Sequence, residues 1–307
     1  MSPENIIQDR IRLINESLDY FLPPEDEYPE SISIAMRYSI FAGGKRIRPL
    51  LILLIAELFG APPEKGLPAA AAMEMIHTYS LIHDDLPAMD DDDYRRGRLT
   101  SHKVYGEGTA ILAGDALLTL AFEILSREDW DAGENRYLSP WLQTVPASVR
   151  LKIIAELSRA AGVRGMVGGQ VADLASEGKA ITPQEIEYIN DHKTGALFSA
   201  SFHIGVLLGE GGAVDMERLT TCASALGGAF QVVDDLLDLE GNEQKMGKSR
   251  GADLKLKKAT YLSHFGPESA KKFRDEKYEQ SRACLSPYGK QAEPLQSLIR
   301  FMLYRDY

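Results

Sequence analysis

A chain of 307 residues, 44% hydrophobic and 26% charged, has the composition of a folded, water-soluble protein with a sizeable core. Its 45 acidic against 34 basic side chains, a net −11, disfavour nucleic acid and anionic lipid as partners unless a local basic patch intervenes. An anionic small substrate needs the same local help, from lysines, arginines or bound cations.

The first residues, MSPENIIQDR, carry no charged-then-apolar leader pattern. The longest greasy run, PLLILLIAELFGA from Pro49, is broken by Glu57 and falls short of the roughly 20 residues that a membrane span takes. Cys222 and Cys284 are too few for a disulfide framework and have no metal-ligand spacing, so they read as inert thiols. The expectation is a soluble, cytoplasmic chain without a membrane anchor.

Helical periodicity runs through nearly the whole chain, and strand alternation is almost absent. Over 5–22, Ile7, Ile11, Ile14, Leu18 and Leu22 recur at spacings of three and four. A helix over 31–44 runs into the glycine pair Gly43–Gly44, a natural stop. The stretch 67–86 is apolar on most faces, which places it inside a bundle. Further helices are predicted over 105–126, 149–163, 183–209, 215–240 and 267–285, with Thr182-Pro183 as a capped first turn. The polar stretch 126–150 reads as an exposed loop or short helical excursion. There is no short internal repeat, and the prediction is one all-α domain spanning 1–307.

Two acidic stretches interrupt this pattern. In LIHDDLPAMDDDDYRRG, six aspartates fall in the ten positions from Asp84 to Asp93, directly after an apolar helix. Carboxylates about 5 Å apart repel by roughly 3 kcal/mol at an effective dielectric of 20, a cost that bound cations offset. Oxygen ligands of this kind suit Mg²⁺, which commonly takes one or two carboxylates and leaves its other positions to water and phosphate. Pro87 should loosen the helix near Asp85 and let Asp90 return beside Asp84. In GGAFQVVDDLLDLEG an apolar helix presents Asp234, Asp235 and Asp238, with Asp234 and Asp238 on one face. An isolated acidic run is ordinarily a solvated loop. Two such runs, each on an apolar helix, suggest facing walls that hold Mg²⁺ ions and a diphosphate.

Basic residues next to glycines complement that ligand: Lys45, Arg46 and Arg48 in GGKRIRP, Arg95 and Arg96 in YRRG, Lys193 in HKTG, and Lys248 and Lys258 in MGKSRGADLKLKKATY. Taken singly, each group reads as surface charge. A lone histidine such as His77 on an apolar helix reads as a hydrogen-bonded core residue, as do His83 and His102. Tyr79 reads as an ordinary core aromatic.

The stretches GGKRIRP, EMIHTYSLIHDDLPAMDDDDYRRG, ILAGDALL, GGQVADL, HKTGALF, FQVVDDLLD and GKSRGADLKLKKATY resemble, in order, those of the trans-isoprenyl diphosphate synthases. The resemblance covers roughly residues 40–125 and 160–265. It implies an all-helical bundle around a central cavity (the isoprenoid synthase fold), a homodimer, and condensation of isopentenyl diphosphate with an allylic diphosphate. It further implies Mg²⁺ as cofactor, about three ions per site held with diphosphate. By the same resemblance Asp84, Asp90 and Asp234 are the main Mg²⁺ ligands, with Asp85 and Asp238 in support. Lys45, Arg48, His77 and Arg96 hold isopentenyl diphosphate, and Arg95, Lys193 and Lys258 hold the allylic diphosphate, with Lys248 near it. Thr194 and Gln231 lie beside the reacting carbons. Tyr79 and its neighbour Ser80, five and four residues before Asp84, limit chain length. A bulky residue there favours a C15 product, farnesyl diphosphate, over C20. The 126–150 stretch and the ending LIRFMLYRDY depart from the pattern; Arg305 is a candidate for closing over the site.

Three other classes fit less well. A metal phosphohydrolase built on His83-Asp84 needs more histidines than the six present and leaves Asp234, Asp235 and Asp238 unexplained. A terpene cyclase would not need GGKRIRP for a second diphosphate. An inactive regulatory subunit would not keep both aspartate sites.

Overall fold

The structure is a computed structural model that describes residues 2–128, 139–179, 181–240 and 266–305. The described residues are helical almost throughout, joined by short turns. In chain order the first helices are α1 (Pro3–Phe21), α2 (Glu30–Ile40), α3 (Ile47–Glu57) and α4 (Leu67–Asp84). A hairpin of β1 (Tyr94–Arg95) and β2 (Arg98–Leu99) follows, then α5 (Ser101–Tyr105), α6 (Glu107–Ser126), α7 (Ser139–Thr144), α8 (Ala147–Ala161) and α9 (Met166–Ser176). Next come α10 (Pro183–Ile189), a π-helical turn (Asn190–Gly195), α11 (Ala196–Leu208) and α12 (Ala213–Glu240). The chain closes with α13 (Pro267–Leu285), a 3₁₀ segment (Ser286–Ala292) and α14 (Glu293–Tyr304).

Burial follows the sequence pattern. Every residue of α3 from Pro49 to Ala56 is buried, as is every residue of α4 from Leu67 to Ile76 and most of α11. Helices that are apolar all round belong at the centre of a bundle, and α3 packs between α4 and α11. The amphipathic α1 and α14 pack outside them, each burying one stripe: Ile14, Leu18 and Phe21 on α1, and Leu295, Leu298, Ile299 and Met302 on α14.

Two local features fix the geometry that matters below. The Thr182 hydroxyl accepts from Glu185 N while Glu185 accepts from Thr182 N, a complete capping box with Pro183 in the first turn. The predicted 183–209 helix is broken by the π-turn, whose wider coil re-aims the side chains of Lys193 and Thr194. In the polar 126–150 stretch, read as an exposed loop or a short helical excursion, the described part takes the helical form but is not wholly exposed. Its described end forms α7, and the Trp141 ring is wholly buried, because an indole removes too much apolar surface from water to be left in a loop.

Candidate active site

α4 ends where Pro87 dictates. Asp84 is its last residue, and Asp85 caps it in helical geometry. The chain then folds back: Asp90 N donates to Asp84 O at 2.8 Å, and Asp91 N to Leu86 O at 3.1 Å. This return brings Asp90 beside Asp84, as the proline predicted. Burial pushes the Asp84 carboxyl up to about 6. Lys193 pulls against that shift, the Asp90 charge adds to it, Arg95 opposes it and Asp85 adds a little more. An acid so strained in its charged form is one that a cation relieves.

The β1–β2 hairpin turns on Arg96 and Gly97, both with positive φ, the geometry of a tight type I′ turn. It presents two arginines differently. Arg95 Nε donates to Asp85 Oδ1 at 2.6 Å, and Asp85 is only 4% exposed. Arg96 Nη1 donates to the Gly43 carbonyl. A Cβ at Gly44 would lie 2.7 Å from the Arg96 guanidinium carbon, so the glycine leaves the room that arginine occupies. Asp92 and Asp93 serve the loop itself: the Thr100 hydroxyl donates to Asp92 O, and Lys103 pairs with Asp93 at 2.7 Å.

The GGKRIRP turn separates its three cations. Arg46, in left-handed backbone, points inward: it donates to Glu74 Oε1 at 2.6 Å, Asn15 Oδ1 at 3.0 Å and Ile40 O at 2.7 Å. It is a structural tie between α1, the end of α2, and α4. Arg48 points to the site, with its guanidinium 4.7 Å from the Phe198 ring centre and Nη1 3.4 Å from His77 Nε2. Burial lowers Arg48 to about 10, partly countered by Glu74 and Asp234. Burial and the cluster of Arg48, Arg96, Arg95 and Arg46 hold His77 well below the usual imidazole range, so it is neutral and accepts from Arg48. Burial also holds Arg96 below its ordinary value, with the Arg46 and Arg95 charges adding to the shift and Glu74 and Asp85 opposing it. Lys45 lies 5.5 Å from the Phe301 ring centre, at the C-terminal helix.

Across from α4, the Thr194 hydroxyl donates to Gln231 Oε1 at 3.1 Å, and Gln231 Nε2 donates to Asp235 Oδ1 at 3.2 Å. Lys193 Nζ donates to Asp173 Oδ2 at 2.6 Å. Arg305, beyond α14, donates to Asp234 Oδ1 and to Met302 O, and its guanidinium lies 4.4 Å from the Phe230 ring centre. Phe230 and Phe198 pack at 4.9 Å, so one aromatic pair carries both Arg48 and Arg305. On the α4 side, the Tyr79 ring meets His83 edge-on at 5.7 Å, and burial together with the Asp84 charge pushes its hydroxyl up to about 12. Ser80 donates to His77 O. His83 turns outward and bonds Ile111 O at 3.0 Å, with Gly114 giving room for its ring; an adjacent His–Asp metal pair is not formed.

The structure thus brings together Arg48, His77, Asp84, Asp85, Asp90, Arg95, Arg96, Lys193, Thr194, Gln231 and Asp234. Asp238 lies in the last turn of α12, with its side chain outside the described set. Lys248 and Lys258 also lie outside the described residues. Sequence reasoning does not select Asp173 as a site residue, although it stands in the quoted GGQVADL, and it names Asp235 in the second acidic stretch without giving it a role; packing supplies their partners, Lys193 and Gln231. Arg305, a candidate for closing over the site, does reach Asp234.

Among the described residues no three carboxylate or imidazole groups close on a common point. Each wall offers one or two carboxylates, the number Mg²⁺ takes when phosphate and water complete its shell. The donor set, all oxygen and headed by a carboxylate destabilised by burial, fits Mg²⁺.

A helical site in which arginines and a lysine lie among aspartates from the ends of two apolar helices suits a polyanionic ligand. The chain belongs to the polyprenyl synthetase family, whose model matches residues 29–298. It is 48% identical to a farnesyl diphosphate synthase of Geobacillus stearothermophilus over 261 residues, covering 85% of this chain and 84% of that one. It is 43% identical to a geranylgeranyl diphosphate synthase of Cyanophora paradoxa, covering 98% and 95%. The fold matches the crystal structure of an FPP/GFPP synthase from Zymomonas mobilis with a TM-score of 0.83 and 36% identity over 98% of each chain.

Proposed function

We propose that this protein is a prenyltransferase that joins isopentenyl diphosphate head-to-tail to dimethylallyl or geranyl diphosphate, releases diphosphate and stops at farnesyl diphosphate. The observation that carries the reading is the return of Asp90 beside Asp84, with Lys193 and Arg95 acting on the Asp84 carboxylate and Arg48 lying near Asp234. The relatives named farnesyl diphosphate synthase support C15, and the buried Tyr79 beneath Asp84 is a floor at the depth where a growing chain arrives. A C20 product is the second reading, favoured by the geranylgeranyl synthase relative.

Bound Mg²⁺ would supply charge neutralisation for the departing diphosphate, held by Asp84, Asp90 and Asp234 with Asp85 and Asp238 in support. Lys193 and Arg95 bind the allylic diphosphate, with Lys258 and Lys248 from the stretch outside the description. Arg48, Arg96, Lys45 and neutral His77 bind isopentenyl diphosphate. The Thr194 hydroxyl and Gln231 carboxamide present oxygen dipoles toward the positive charge that develops on the allyl group. No side-chain nucleophile is required, since the alkene of isopentenyl diphosphate attacks the cation.

We also propose a homodimer. The outward face of α6 exposes Ile111 and Leu112, the latter 60% exposed, and an apolar face of this kind is a surface that a second copy would cover. α6 is long and apolar enough to cross a membrane by length and composition, but much of it is buried against α4, so it is read as a core and interface helix.

The test is incubation with Mg²⁺, isopentenyl diphosphate and either allylic diphosphate, followed by chromatography of the dephosphorylated products. A C15 alcohol is expected. A C20 alcohol would overturn the chain-length reading, and no product with either allylic substrate would overturn the activity.

A further inference from the structure

Nothing in the local pattern around Asp173 singles it out, yet it makes a close contact with a site cation. Lys193 Nζ donates to its Oδ2 at 2.6 Å, and the two side chains are 25% and 16% exposed. The helix that carries Asp173 is pressed onto the π-turn. Gly169, one turn earlier on the same face of α9, is so close that a Cβ there would lie 2.1 Å from Lys193 N and 2.7 Å from its Cα. Between them in sequence, Gln170 has both carboxamide atoms buried with no hydrogen-bond partner among the described residues. One face of α9 therefore combines close backbone approach, a carboxylate on the lysine, and an amide whose bonding capacity is left for a ligand.

We propose that Asp173 is a positioning residue that holds the Lys193 ammonium in the orientation the allylic diphosphate requires. This rests on the assignment of Lys193 to that ligand. An ammonium on a four-carbon stem samples many rotamers, and a ligand that must order it binds more weakly. The Asp173 carboxylate takes one of its three N–H donors and fixes the stem, leaving two for phosphate oxygens. Position matters here because a competing acid is at hand: Lys193 and Asp84 lie close enough for the ammonium to stabilise that carboxylate. Released from Asp173, Lys193 would settle on Asp84, occupying a metal ligand and leaving the diphosphate without its cation. The alternative, that Asp173 is only a negative charge near an anionic ligand, predicts the opposite sign.

The experiment measures KM for each substrate separately, with kcat and the Mg²⁺ concentration at half-maximal rate, in the full-length enzyme and in Asp173→Asn, Asp173→Glu and Lys193→Ala. The expected result for Asp173→Asn is an allylic KM raised about tenfold, an isopentenyl KM within about twofold of the parent, and a raised Mg²⁺ requirement. Asp173→Glu should recover part of the allylic KM. An allylic KM that is unchanged or lowered in Asp173→Asn, while Lys193→Ala raises it, overturns the positioning role and leaves Lys193 in place. Equal rises in both KM values also overturn it, since general damage to the fold would do that. If Lys193→Ala leaves the allylic KM unaltered, the assignment beneath the proposal fails, and the proposal with it.

Discussion

Replacing Asp84 by asparagine should stabilise the ligand-free protein while destroying its ability to bind metal with diphosphate. Burial holds the Asp84 carboxyl at about 6 against an ordinary value of 3.8; Lys193 and Arg95 outweigh the repulsion from Asp90 and Asp85 but offset the burial only in part. At 1.36 kcal/mol per unit, the ionised carboxylate costs the folded state at most about 3 kcal/mol. The sign follows from proton binding. Between pH 3.8 and about 6 the folded chain keeps a proton that the unfolded chain has lost. Stability therefore falls as pH rises through that window, and the full cost is present above it. A neutral carboxamide at this position carries no such cost, so thermal unfolding in EDTA at pH 8 should come about 2–6 °C higher in Asp84→Asn than in the parent. The gap should shrink as pH drops from 6 toward 4. Adding Mg²⁺ with an inert bisphosphonate should reverse the order, because only the parent gains binding energy. A ligand-free Asp84→Asn protein that melts below the parent at pH 8 would falsify the picture of a strained carboxylate awaiting a cation.

Three further outcomes are expected. Tyr79→Ala removes a ring that is 7% exposed at the proposed floor; products longer than C15 should be found by chromatography, at a stability cost of about 3 kcal/mol. Arg305→Gln frees Asp234, whose side chain is 43% exposed, so after solvent screening the Mg²⁺ concentration for half-maximal binding, read by calorimetry with a bisphosphonate, should drop by about two- to fivefold. Glu74→Gln strands the Arg46 guanidinium, where both side chains are 3% exposed or less, and chemical denaturation should report a loss of about 3–5 kcal/mol; an unchanged midpoint would mean the pair is not a tie between α1, α2 and α4.

The helices of this protein are written in local pattern. The 3.6-residue period over 5–22 and 267–285, the Thr182-Pro183 cap and the all-round apolarity of 67–86 each predict an element that forms nearly where expected, since they depend on neighbours three and four residues away. Pro87 even foretold the return of Asp90, because a missing N–H breaks a helix whatever surrounds it. The helix over 166–176, rich in glycine, gives no comparable signal, and neither does the π-turn at 190–195. The period of 183–209 is continuous through that turn, so only the packing of Gly169 against Lys193 reveals why the coil widens there.

Pairs such as Arg12–Glu16 are local, but the principal charge pairs at the site belong to the tertiary level. Arg46 and Arg48 stand two apart in one motif, yet one is sealed into a buried ion pair and the other faces the site. Asp85 looks like a twin of Asp84, but it is the partner of Arg95. Lys193 finds Asp173, and Asp234 finds Arg305 some 71 positions away in sequence. The residue types and their spacing were enough to announce two acidic walls and the cations that answer them. Which cation answers which acid was decided only when folding removed water from the pairs, because Coulomb attraction and the desolvation that opposes it depend on distances no linear pattern encodes.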